Sequence, residues 1–98
     1  MAERIIIWTT TAKIELKFIL EYYNLRNKSK TYSQKLLRTI QSEIKLLVQQ
    51  PFIGKKTDTI NVRGLLIENF IVFYEVNESH IIILSVWDTR QNPATLNL

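Results

Sequence analysis

Two runs, FIVFYEV at residues 70–76 and IIILSVW at residues 81–87, decide the fold. Both are dense in β-branched and aromatic residues, and Asn77-Glu78-Ser79-His80 stands between them. That pattern predicts a β-hairpin closed by a three- to four-residue loop. An antiparallel sheet shielded on one side alternates apolar and polar residues. Neither run does. Phe70, Val72, Tyr74 and Val76 take one face and Ile71 and Phe73 the other. In the partner run Ile81, Ile83 and Trp87 oppose Ile82, Leu84 and Val86. The hairpin is apolar on both faces, so both need cover.

Outward from the hairpin, residues 61–67 (NVRGLLI) read as a further strand, interrupted by Gly64, where a bulge is expected. Residues 51–58 are a connector with a basic pair, Lys55 and Lys56. Ahead of it Tyr32, Leu36, Ile40, Ile44, Leu47 and Val48 form a helical stripe, opened by a Thr31/Gln34 capping box and ended by Pro51. Residues 24–30 are a polar, basic loop. An earlier helix from about Thr10 to Leu25, capped by a threonine, aligns Ala12, Leu16, Ile19, Leu20 and Tyr23, with Ile14 and Phe18 beside them. Residues 4–8 (RIIIW) are a short first strand, and a polar tail containing Pro93 runs from Asp88 to Leu98. The order is β-α-α-β-β-β. It predicts an α+β fold with a helical hairpin packed on one face of a small, mainly antiparallel sheet. Two helices shield one face. The tail, a second copy or a different chain must shield the other, and eleven residues at about 3.3 Å each span only part of it.

The chain has 98 residues, which is one domain over 1–98. It has no cysteine, which excludes a disulfide scaffold, a zinc knuckle and a cysteine nucleophile. A single histidine, His80, excludes a His-rich metal site, and two glycines cannot build a phosphate cradle. No cofactor and no metal are expected. Thirteen Lys and Arg against nine Asp and Glu give +4, which favours a polyanionic partner. No apolar run approaches a membrane span, and Ile5 to Trp8 is too short for a secretory signal. A cytoplasmic location is expected.

The ordered set of motifs resembles the RelE/ParE superfamily of toxins from bacterial type II toxin–antitoxin systems, over nearly the whole chain. It comprises Trp8-Thr9, the amphipathic helix pair, Pro51-x-x-Gly54-Lys55, Val62-Arg63-x-Leu65, Tyr74-x-Val76, Ile83-x-x-Val86 and Arg90-x-x-Pro93. The resemblance implies a toxin held in check by an acidic antitoxin that lays a segment over it. Charge complementarity with this basic chain fits that partner. It also implies a homodimer or a toxin–antitoxin hetero-oligomer. One branch of the superfamily inhibits DNA gyrase by binding. The other cleaves mRNA on the ribosome without a metal, which requires a base, an acid and cations at one phosphate.

Local pattern favours the ParE-like, gyrase-binding branch, through Val62-Arg63 and Arg90 with Pro93. Where RelE-like enzymes carry an arginine on the strand before the hairpin turn, this chain has Ile71. No Tyr follows Tyr74 and no His follows His80. The ParE-like ending His-x-Arg-Arg is Asp88-Thr89-Arg90-Gln91 here. The alternatives are a ribosome-dependent mRNA endoribonuclease using Lys55, Lys56, Arg63 and Arg90, and a degenerate, non-toxic member that binds antitoxin. The residues expected to meet target or antitoxin are Arg63, Arg90, Trp87, Lys55 and Lys56. Each also has a plainer reading, which for Lys55 and Lys56 is a solvated loop beside Gly54. Arg63 could be a solvated edge charge or pair with Glu68 or Glu75, Arg90 could pair with Asp88, and Trp87 could be sheet packing. His80 reads as turn filler, and Glu15-x-Lys17 as a chance nuclease-like spacing.

Overall fold

The hairpin sits at the centre of a five-stranded sheet. The computed structural model describes residues 3–90. Its elements are β1 (Ile5–Trp8), α1 (Thr10–Asn27), α2 (Thr31–Gln49), β2 (Lys55–Lys56), β3 (Val62–Ile67), β4 (Phe70–Val76) and β5 (His80–Asp88). Their order in the sheet is β1-β5-β4-β3-β2. The pairs among β2, β3, β4 and β5 are antiparallel, whereas β1 lies parallel to β5, with Ile5 opposite His80 and Trp8 opposite Ile83. A parallel partner requires a long crossover, and the chain carrying both helices supplies it.

Thr9 joins the first strand, the first helix and the sheet. Its Oγ1 accepts from the Ala12 N–H at 3.1 Å, capping α1, and donates to the Ile83 carbonyl at 2.9 Å. The helix continues two residues past Leu25, to Asn27, and ends in a left-handed Lys28 whose N–H returns to the Asn24 carbonyl. The Thr31/Gln34 capping box does not form. Lys30 is the cap residue and caps with no side chain. Two serines serve the turn instead: Ser29 Oγ accepts from the Thr31 N–H, and Ser33 Oγ bonds the Lys30 carbonyl and the Asn24 side chain. At its far end α2 stops at Gln50, whose backbone leaves the helical region ahead of Pro51.

The helices cover one face only. Leu36, Ile40, Ile44 and Leu47 of α2, with Ala12 and Tyr23 of α1, pack on Phe70, Val72, Tyr74, Val76, Ile81, Ile83 and Val86. Inclusion of Val86 corrects the strict alternation expected of 81–87. Phe73 pairs with Ser85 but Tyr74 pairs with Ile83, so Leu84 is an extra residue in β5. This bulge reverses the side-chain parity beyond it. Val86 therefore turns to the helices and Trp87 to the opposite face. Gly64 is not the bulge. The β3–β4 register is regular through it, and its missing Cβ leaves room for Ile71 and Phe73, which that atom would meet at 3.0 and 3.3 Å. The basic pair Lys55-Lys56, read as connector, is a two-residue edge strand.

On the second face Val62, Phe73 and Trp87 form a small buried cluster, with Ile71 and Leu84 packed against it. Ile5, Ile7 and Leu66 stand exposed toward its margins. The tail beyond Arg90, including Pro93, lies outside the described residues. Among the described residues no helix is long and apolar enough to cross a membrane.

Candidate functional site

Where α2 ends, the chain crosses the end of the sheet to reach β2, and two side chains hold that crossing in place. Tyr74 is fully buried, and its hydroxyl donates to the Pro51 carbonyl at 2.8 Å and accepts from the Gly54 N–H at 3.0 Å. Burial pushes its phenol pKa up, so it stays a neutral donor. Glycine at 54 permits this approach, because a Cβ there would stand 2.6 Å from the Tyr74 hydroxyl oxygen. Arg63, directly opposite Tyr74 on β3, donates to the carbonyls of Phe52 at 3.1 Å and Gly54 at 2.9 Å. The Pro51, Gly54, Arg63 and Tyr74 motif residues thus form one clamp.

The loop that is clamped presents an aromatic side chain to solvent. Phe52 is 59% exposed. The Arg63 guanidinium lies 5.1 Å and that of Arg4 5.9 Å from its ring centroid, within cation–π range. Arg4 also donates from Nε to the Asn77 carbonyl at 2.7 Å. Lys56 is opposite Arg63 and Lys55 is opposite Gly64, both exposed. Neither Arg63 nor these neighbours meets a carboxylate within ion-pair distance among the described residues. Carbonyls orient a guanidinium without cancelling its charge, so this end of the sheet stays positive. Beside Phe52 is a recess of about 450 Å³, walled in part by Lys56, Asp58, Ile60, Arg63 and Val76.

Arg90 is held differently. It bonds both oxygens of Asp88, at 3.0 and 2.7 Å, and donates to the Tyr23 hydroxyl at 2.6 Å. The Arg90 hydrogen bonds hold the Asp88 carboxyl below its usual range, and the same bonds raise the guanidinium pKa. The pair ties the end of β5 to α1. It borders a groove of about 550 Å³ lined by Glu15, Phe18, Ile19, Tyr22 and Val86 among others. Phe18 is 64% exposed there. Glu15 accepts from the Val86 N–H at 3.2 Å, which gives this acid a part in the sheet edge; Lys17 lies 3.9 Å from Glu21.

Of the expected site residues, Lys55, Lys56 and Arg63 adjoin, while Arg90 and Trp87 stand apart from them. Arg63 is level with Tyr74 and Asp88 with Phe70. Four residues of β4 separate those levels, about 13 Å at ~3.3 Å per residue, and Arg90 lies two residues further. Trp87 is buried in the second-face cluster, opposite Ile71. His80 is at the hairpin turn, its Nδ1 2.7 Å from Ser79 Oγ. Arg63 meets neither Glu68 nor Glu75. The sequence reading passed over Phe52, Arg4 and Tyr23. A Phe-Ile pair between a proline and a glycine, just where a connector should be polar, was the available signal for Phe52. Nothing in the spacing brings Arg4 or Tyr23 to these arginines.

The sequence profile of the ParE toxin of type II toxin–antitoxin systems (parDE) matches residues 6–93. Comparison with curated proteins finds no match. Among solved structures, a chain of the chromosomal ParDE toxin–antitoxin system from P. aeruginosa superposes with a TM-score of 0.78 at 23% identity, covering 90% of this chain and 98% of that one. The YoeB dimer from Staphylococcus aureus gives 0.62 at 18% identity, covering 88% and 97%. The E. coli DinJ–YafQ toxin–antitoxin complex gives 0.61 at 9% identity, covering 89% and 93%. At these identities the likeness is one of fold.

Proposed function

This chain belongs to the family of ParE toxins of type II toxin–antitoxin systems, and on that premise we propose that it arrests growth by binding DNA gyrase, without cleaving RNA. The observation that carries this reading is the separation of its two expected site arginines, Arg63 and Arg90. Metal-free RNA cleavage gathers a base for the ribose 2′-OH, cations for the phosphorane charge and an acid for the leaving oxygen around one phosphate. Here Arg63 and Arg90 stand at opposite ends of the sheet, and Arg90 is already bonded to Asp88. Binding needs no such convergence. The register pair of Lys56 and Arg63, with Lys55 beside it and Asp58 on the same recess wall, is the feature favouring a ribonuclease, since an amine or a carboxylate can move a proton; the open Phe52 and Ile60 side chains around it favour contact with a protein instead.

The partner that restrains the toxin is a cognate acidic antitoxin. The groove between α1 and β5, with Phe18 exposed in it, suits an apolar stretch of such a chain. A homodimer is the second assembly this reading admits, as the YoeB structure of like fold is a dimer. Induction without antitoxin, followed by separate pulses of labelled thymidine and labelled amino acid, tests the target. DNA synthesis is expected to fall first, with translation intact. Early loss of translation during continued replication contradicts the gyrase reading, and normal growth contradicts toxicity altogether.

A further inference from the structure

We propose that the recess beside Phe52 is the docking point for the target, and that it takes an apolar side chain from an acidic segment of that protein. The inference rests on the gyrase-binding reading and specifies the surface it uses. Three observations lead to it.

The first is exposed apolar surface with no packing role. Ile60, on the recess wall, is 85% exposed, and Phe52 on the same wall is also open. A β-branched aliphatic at the tip of a turn contributes nothing to this fold. It suits an interface whose apolar centre is ringed by polar groups.

The second is that the turn is already built. Thr57 Oγ1 lies 2.9 Å from the Val62 carbonyl and 3.2 Å from both the Thr59 carbonyl and N–H. Asn61 adopts a left-handed φ of 63°, and its carbonyl accepts from the Val76 N–H at 3.0 Å. Together with the Tyr74–Arg63 clamp, these bonds order the recess before any partner arrives, so little conformational entropy is lost on docking.

The third is charge. Arg4, Arg63 and Lys56 border the Phe52 side with their charges uncancelled, which favours carboxylates flanking the inserted side chain. A nucleic acid fits less well. The Phe52 ring, the aromatic on which a base would stack, already carries two guanidinia over it. Asp58 on the recess wall would repel a phosphate chain, while confining a peptide's carboxylates to the Lys56–Arg63 side.

The test compares Ile60→Asp, Lys56→Glu and their combination with the unaltered chain and with Leu25→Asp, an exposed apolar control remote from the recess. Circular dichroism melts confirm folding, since all three positions are exposed. Two readouts are used: inhibition of supercoiling by purified gyrase, and growth arrest on induction. The double variant is expected to lose at least tenfold in both, and Leu25→Asp to lose nothing. Arrest and inhibition unchanged in the double variant overturn the surface. If the unaltered chain arrests growth without touching gyrase, the target reading falls, and growth arrest by the double variant alone decides the surface. A chain that does neither overturns both. The third measurement is binding to a fluorescent single-stranded 20-nucleotide RNA. Tight binding that Lys56→Glu weakens and Ile60→Asp leaves alone would replace the peptide with a nucleic acid and overturn the proposal.

Discussion

Arg63 and Arg90 hold opposite ends of the same sheet, and each has an aromatic ring within cation–π distance, Phe52 for one and Tyr23 for the other. They differ in what they bond. Arg63 donates to two backbone carbonyls, while Arg90 donates to both oxygens of a carboxylate. A carbonyl fixes the fork of a guanidinium but leaves its field standing. A carboxylate fixes and neutralises it. One arginine is therefore an ordered positive surface, and the other is a latch whose charge is paired with a neighbouring carboxylate. Their neighbours follow suit. Around Arg63 stand further cations and open apolar side chains; around Arg90 stands the groove against α1.

The comparison breaks most easily at the clamp. Gly54→Ala forces a Cβ against the Tyr74 hydroxyl, which is buried and cannot swing aside, and is expected to cost about 3 kcal/mol. Tyr74→Phe leaves the Pro51 carbonyl and Gly54 N–H unpaired in the interior, and is expected to cost about 2 kcal/mol. In a domain of this size each kcal/mol lowers the melting midpoint by about 4–8 °C. Melts by circular dichroism check both. An unchanged midpoint for Gly54→Ala would mean that the clamp closes without glycine.

Arg63→Ala removes two charge-assisted bonds from a half-exposed site, an expected loss of about 1–2 kcal/mol, and with it the ordered charge. Growth arrest is expected to weaken more than stability alone explains. Arg63→Lys restores the charge without the fork, so it should recover part of the arrest and little of the melting midpoint. Arg90→Ala is expected to weaken arrest less than Arg63→Ala does. Equal or greater loss at Arg90, measured by plating efficiency after induction, would reverse the assignment of surface and latch.

The smallest effect is a pH dependence at the latch. The Asp88 carboxyl is depressed by the Arg90 bonds, so its contribution is complete above the unfolded-state value of about 3.9. It is lost as pH falls through the lower, folded-state value. Asp88→Asn lacks this carboxylate. The stability gap between the two proteins is expected to be constant above about pH 5 and to close below about pH 4. Urea titrations at pH 3 and pH 7 measure it, and a gap that widens on acidification would contradict the latch.

Most of the fold was legible because it is carried by period. The four-residue spacing through Leu36, Ile40 and Ile44 names one helix face, and all three are buried. The apolar runs of β4 and β5 name a hairpin. The bulge at Leu84 was not legible. β5 is apolar at both parities apart from Ser85, and that one buried serine, at the parity expected of the helix face, does not by itself mark where the alternation slips, so Val86 and Trp87 exchange faces. A two-residue strand such as Lys55-Lys56 is too short for any period. The pairing of Arg90 with Asp88, two residues away, was legible, but the other groups the arginines bond are 9, 11 and 67 positions away. Arg63 faces the carbonyls of a loop and Arg90 a tyrosine on α1, and neither contact leaves a local mark.

The central claim is that this toxin works by contact, because Arg63 and Arg90 lie too far apart to act at one phosphate. Mapping mRNA 5′ ends after adding saturating protein to translating ribosomes tests it most directly. The account predicts the same ends as in the untreated reaction. New ends that appear with the unaltered chain and vanish with Arg63→Ala or Arg90→Ala would contradict it.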